Sequence, residues 1–314
     1  MTTRIGPVVV VLLTVALLPC FAQEEGGEPA WVTYQRGVHA LERGNLGEAV
    51  RSFRDALAVR RPFPEAEAGI GQVFEAEGNI PLAVRQYRRA LEEADAFYIG
   101  ENEFAVRYEL AELFRNQGRW KDYEEELLVI ADRNPQFRPD HDPPYRRLVP
   151  NVLTREPLED RPPQPRLDIL LRLYRLEENF AYRAHLEAGE QFLRNGRYSG
   201  AVDHLSFAVV ASLSTLVSEL RRDIYGYEFE TTEGLITDAL TVERLRAYID
   251  DTELFRALFR LSGALYGFEG AGAPDGVPRE IWDLLVSFPQ AAGVWAARAG
   301  RAVERPRTAL NVDY

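Results

Sequence analysis

One cysteine, one lysine and four histidines are all that 314 residues supply of three side-chain types that often build disulfides, metal centres and nucleophiles. A single Cys20 excludes an internal disulfide, so the fold must hold by packing alone. The histidines are scattered, and no pair stands at the helical spacing used by zinc hydrolases. Excess positive charge is also missing. The formal net charge is −12, from 37 Lys and Arg against 49 Asp and Glu, and this balance disfavours nucleic acid as a partner. Nearly all the positive charge is arginine, with Lys121 the lone lysine. Long apolar runs are scarce too: Val8 to Leu18 is shorter than the roughly 20 residues that a membrane span needs.

That run nevertheless has the layout of a secretory signal, with Arg4 ahead of it and small residues soon after. Cleavage after Ala22 is predicted, giving a signal peptide over 1–22 and an exported protein, periplasmic or secreted. The alternative is a membrane-anchored lipoprotein. Leu17, Leu18, Pro19 and Cys20 resemble a bacterial lipobox with Cys20 as the acylated residue, although Pro19 departs from the usual small residue.

The strongest pattern is internal. Gly37, Gly44, Leu46, Ala49, Phe53, Ala56 and Leu57 are matched at a 34-residue offset by Gly71, Gly78, Ile80, Ala83, Tyr87, Ala90 and Leu91. Glycines 44 and 78 mark turns between helices, and the other small residues stand where two helices must approach closely. A third copy runs to Pro135 with Ala111, Phe114, Gly118, Trp120, Tyr123, Leu127, Ile130 and Ala131. It carries an insertion around Phe97 to Glu101, and Tyr123 falls where alanine is expected. A fourth copy has His185, Ala188, Gly189, Phe192, Gly196, Tyr198, Ala201, Leu205 and Ala208. Its second helix is predicted to overrun, because Leu205, Val209, Leu213, Leu216 and Leu220 continue one apolar face. The whole pattern resembles the tetratricopeptide repeat family.

This resemblance implies an all-α, tetratricopeptide-like helical-hairpin solenoid with a proline-rich interruption and a degenerate helical C-terminal region. The expected organisation is three repeats over 30–135, a proline-rich linker over 136–165, a helix and fourth repeat over 166–222, and a capping region over 223–314. Within the last part, Tyr225 to Gly234 reads as a loop or a short strand pair. Phe259, Gly263, Tyr266 and Gly270 resemble the first helix of a fifth unit, and helices are expected over Arg279 to Phe288 and Gln290 to Val303.

Catalytic constellations are not found. The glycines at 267, 270, 272 and 276 lack the Lys and Ser or Thr of a phosphate loop, the serines of the fourth unit lack a nucleophile elbow, and Asp140, His141 and Asp142 read as a solvated turn. His185 and His204 read as packed or surface histidines. No cofactor or metal is expected, and the chain is read as a non-enzyme. By resemblance, the first helix of each unit lines a concave groove for a protein or peptide partner. Mapped onto this chain, that face comprises Trp31, Tyr34, Val38, Leu41 and Glu42, then Glu65, Ala68, Gln72, Glu75 and Ala76, then Ala105, Tyr108, Glu112, Arg115 and Asn116. Trp31, Tyr34 and Tyr108 would be its aromatic anchors. The clamp that some family members use on a peptide carboxylate is not expected, because Tyr34, Val38, Ala68 and Gln72 replace its cationic and amide residues. The implied function is a scaffold or adaptor in the bacterial cell envelope. The alternative is a small enzyme or cell-wall-binding module in 223–314 presented by the repeats, and a further option is self-assembly through the long helix near Leu213.

Overall fold

The interval from Gly37 to Phe53 recurs from Gly71 to Tyr87, and both pairs are contacts. A Cβ on Gly37 would lie 2.6 Å from the Phe53 ring, and one on Gly71 would lie 2.6 Å from the Tyr87 ring. Each glycine therefore lets a second helix press its aromatic ring onto the backbone of the first. The third copy keeps the interval but swaps both members, with Ala111 opposite Leu127, so the added methyl is matched by a smaller partner.

The structure, a computed structural model, describes residues 28–138, 152–153, 165–173, 175–176, 179–269 and 276–312. The signal segment with Cys20, the Asp140 to Asp142 turn and nearly all of the proline-rich linker lie outside the described residues. Three helical hairpins come first: α1 (Ala30–Glu42) with α2 (Leu46–Val59), α3 (Pro64–Ala76) with α4 (Ile80–Glu92), and α5 (Asn102–Asn116) with α6 (Trp120–Arg133). Their turns are alike. Gly44, Gly78 and Gly118 have φ of 73°, 74° and 70°, the left-handed region that lets the chain close a helix and restart within three residues. The following residue's N–H reaches back to a carbonyl five residues earlier, as in Asn45 to Ala40 at 2.8 Å and Arg119 to Phe114 at 2.8 Å. Asn45 and Asn79 then cap the next helix with their side-chain oxygens. At the third turn Arg119 replaces the asparagine, and its guanidinium lies over the Phe114 ring at 4.2 Å.

The fourth hairpin, α8 (Tyr182–Arg194) with α9 (Tyr198–Asp223), follows a short helix α7 (Arg166–Leu173). The proline-rich interruption does not break the stack: α8 packs directly on α6. Tyr123, at the expected alanine position, is the reason close packing survives. It is buried in the seam and donates its hydroxyl to Glu187 Oε2 at 2.7 Å, while Glu187 also accepts from Arg183 Nε at 2.7 Å. Asn134 and Phe137 plug the other side. Asn134 Nδ2 lies 3.1 Å from His185 Nε2, and the Phe137 ring lies 4.4 Å from His185 and 5.9 Å from Phe207. His185 and His204 are thus packed inside the fourth unit, with their Nδ1 atoms 3.0 Å apart.

The long helix α9 spans 26 residues. It is long and apolar enough by composition to cross a membrane, yet 83% of that apolar window is buried inside the protein, so it is a core helix. Leu213 is fully buried within its own chain, which uses up in folding the face considered for self-assembly. Short helices α10 (Thr232–Thr241) and α11 (Glu243–Asp251) follow, and the segment before them is irregular with no strand among the described residues. Next, α12 (Leu254–Glu269) packs on α9 and α8, and α13 (Val277–Val286) packs on α12, so the pair extends the stack as a fifth hairpin. The last helix, α14 (Val294–Glu304), begins later than its sequence pattern suggests, because Gly293 takes a left-handed φ of 51° and breaks the run from Gln290. A 3-10 turn, Pro306–Leu310, then folds back onto α12.

Candidate functional site

The first helices α1, α3, α5, α8 and α12 lie on one side of the stack, and this side has two contrasting halves. Over the first three units it is open. Trp31 is 58% exposed, and Glu42, Gln72, Ala76, Ala105, Arg115 and Asn116 are exposed as well. Val38 and Leu41 are half-buried behind Trp31 and pack on the core beneath α1.

Two of the expected aromatic anchors are committed to packing instead. Tyr34 lies between Phe53 at 5.6 Å and Phe63 at 5.4 Å, and burial, followed by the Glu65 charge, raises its hydroxyl pKa. Tyr108 docks α5 onto the fourth unit: its hydroxyl donates to the Phe180 carbonyl at 2.7 Å and accepts from the Ala184 N–H at 2.9 Å. Trp31 alone of the three presents its ring to solvent. Glu65 and Ala68 are buried too. The insertion between units folds back over the start of α3, where the Tyr98 N–H donates to Glu65 Oε1 at 2.6 Å and the Arg60 guanidinium lies 3.8 Å over the Tyr98 ring.

Between α3 and α5 the open face is acidic. Glu75 accepts from the Tyr87 hydroxyl at 2.8 Å, and Glu112 pairs with Arg115 and, at 3.4 Å, with Arg183. Glu109, which the repeat pattern did not single out, joins them. Its side chain is exposed, yet partial desolvation by its neighbours, then the Glu75 charge, pushes its carboxyl above the ordinary value, with Arg183 opposing the shift. Two carboxylates facing each other with incomplete neutralisation make a place where a cation is favoured.

Over the fourth and fifth units the same side is closed. Every residue of α8 except Arg183, Phe192 and Arg194 is buried. The cover comes from α12 and the C-terminal segment. Glu190 receives Arg256 Nη2 at 2.6 Å and Arg260 Nε at 2.9 Å, and Arg260 donates onward to the carbonyls of Asn311 and Val312, both at 2.9 Å. At Gly263 an added Cβ would meet the Ala309 carbonyl oxygen at 2.4 Å and Leu193 Cδ2 at 3.6 Å, so the tail crosses α12 beside α8. Sequence periodicity gave no sign of this cover, since the tail has no repeat of its own and its partners lie some fifty residues back along the chain.

Comparison with known proteins agrees with the hairpin geometry. Residues 34–99 and 69–136 match the family model described as tetratricopeptide repeat. The chain is also similar to an uncharacterized protein of Treponema pallidum (strain Nichols), at 22% identity over 224 residues, which cover 71% of this chain and 57% of that protein. The match thus spans little more than half of that relative's length. Repeats of this kind form protein-interaction scaffolds and are typically non-enzymatic.

Proposed function

We propose that the chain, whose residues 34–136 match the tetratricopeptide repeat model, is an exported scaffold of the bacterial cell envelope that binds a protein or peptide partner on the open face of α1, α3 and α5. The observation that carries this reading is the contrast along one side of the stack. The face of α8 is sealed by the chain itself, whereas Trp31, Gln72 and Arg115 remain exposed on the equivalent helices. An exposed ring on α1 and a separate cluster of carboxylates between α3 and α5 are suited to an extended segment carrying an apolar residue and, farther along, a Lys or Arg. Export rests on the Val8 to Leu18 run with Arg4 before it and Ala22 after it. With acylation at Cys20, the protein would be held to a leaflet with the same face available.

No second reading of the C-terminal region gains comparable support. The fifth hairpin and α14 continue and close the stack, as capping elements of an array do.

A photoreactive residue placed at Gln72 or Arg115 is expected to crosslink a partner in intact cells, and the same group at Arg54, exposed on α2, is not. The yield should fall when Glu75 and Glu109 are both changed to glutamine. Equal crosslinking from Arg54, or a yield indifferent to the two carboxylates, would overturn the assignment.

A further inference from the structure

A cavity of about 460 Å³ lies at the far end of the molecule from Trp31, lined by Phe259, Arg298, Arg301, Arg307, Thr308 and Asn311. It is a half-open recess: Arg301, Arg307, Thr308 and Asn311 are exposed at its rim, Arg298 is half-buried and Phe259 lies at its base, and its volume is in the range of small-molecule sites. Three of its six lining residues are arginines, in a protein of net charge −12. None of the three has a carboxylate within ion-pair distance among the described residues, whereas Arg36, Arg107, Arg183, Arg256 and Arg260 on other helices are each paired. Arg298 rests on an aromatic ring rather than on an acid: its guanidinium stacks 4.6 Å over the Trp295 ring, which itself lies 5.7 Å from Phe259. Burial, then the neighbouring Arg301 charge, lowers the Arg298 pKa, while the Glu190 charge opposes the shift. Glu190, the nearest internal acid, is already engaged by Arg256 and Arg260.

Charges of one sign gathered around a concavity create a local potential that an oppositely charged ligand relieves. Guanidinium forks match the planar oxygens of carboxylate and the tetrahedral oxygens of phosphate. We propose that this cavity is a binding site for a small organic dianion, a dicarboxylate or a phosphorylated compound, gripped by Arg298, Arg301 and Arg307, with Thr308 and Asn311 completing its polar lining. The site is separate from the open face of α1, α3 and α5 and does not depend on how that face is used. It does tie ligand binding to the tail, because Arg307, Thr308 and Asn311 belong to the segment that covers α12.

Isothermal titration of the full chain with succinate, with glycerol phosphate and with neutral succinamide tests the assignment. One or both dianions are expected to bind, with affinity falling as salt rises, and succinamide is not. Binding by succinate alone identifies a carboxylate ligand, and binding by glycerol phosphate alone identifies a phosphorylated one. Changing Arg298 and Arg301 together to glutamine should weaken binding at least tenfold and leave helical content unchanged, since neither side chain holds an ion pair. Arg54→Gln, which removes a charge from a remote helix, should bind as the parent does. Failure of both dianions at millimolar concentration, equal binding of succinamide, or undiminished binding by the double variant would overturn the proposal.

Discussion

Replacing Glu190 by glutamine is expected to cost about 3 kcal/mol of stability, the scale on which removing one member of a buried ion pair acts. The cause is uncompensated charge rather than poorer packing, since glutamine nearly matches glutamate in shape. Glu190 is buried between α8 and α12 and is the internal acid that neutralises Arg256 and Arg260. Arg260 is itself buried and is pressed by the charges of Arg256 and Arg298. With a neutral amide at 190, those guanidiniums would face each other in the seam, and the bonds from Arg260 to the tail carbonyls would lose their anchor. The effect depends on pH in a specific direction. Burial alone would raise the Glu190 carboxyl, but the two guanidiniums more than offset it and hold it below its ordinary value of 4.5. Its contribution is therefore complete above the ordinary carboxyl range and disappears as pH falls through the lowered value in the folded protein. Chemical unfolding of parent and variant should show a constant gap from neutral pH down to about 5 that closes below that. A gap that widens on acidification would contradict the pairing.

Phe137→Ala is expected to be as damaging, at about 3–5 kcal/mol, the usual range for truncating a buried phenylalanine. Phe137 lies at the very start of the proline-rich interruption and is 2% exposed, wedged against His185, His204 and Phe207 of the fourth hairpin. Removing the ring leaves a cavity lined by two imidazoles and opens the seam where α8 sits on α6. The loss should be uneven along the chain. Hydrogen exchange is expected to accelerate in α8 and α9 while α1 to α4 keep their protection, because a stack of hairpins couples each unit mainly to its neighbours. Uniform acceleration would mean that the hairpins do not act as separable units.

These two residues also show where sequence reasoning stops. The turn glycines and the small-to-large pairs were legible because each acts within one hairpin: Gly37 meets Phe53, and Gly44 closes the turn between the same two helices. The 34-residue repeat follows from that local chemistry. Tyr123 and Tyr108 were misleading for the opposite reason. Their partners, Glu187, Phe180 and Ala184, lie beyond the proline-rich stretch, and no periodicity links the two sides. Tyr123 at a position that favours alanine looked like weakened packing, yet it is the hydroxyl that fastens two units together. Of the groove face mapped by resemblance, Trp31, Gln72 and Arg115 are exposed, while Ala68 is buried and Glu65 is covered by an insertion whose folding back the sequence did not reveal. A capping region and the helix that became α12 were expected, but the tail's part in closing α8 was not legible, since Pro306 to Val312 carries no apolar pattern that points to α12.

That closure separates an open face from a sealed one, and Gly263→Ala tests it in the full chain. Alanine normally strengthens a helix relative to glycine by roughly 1 kcal/mol, so any loosening must come from the new methyl meeting the Ala309 carbonyl. Hydrogen exchange of the variant is the decisive measurement. Faster exchange is expected over 306–312 and on the α12 side of α8, with α1 to α5 unchanged. Exchange over 306–312 as slow as in the parent would contradict the closure, because the tail could not then be lying across Gly263.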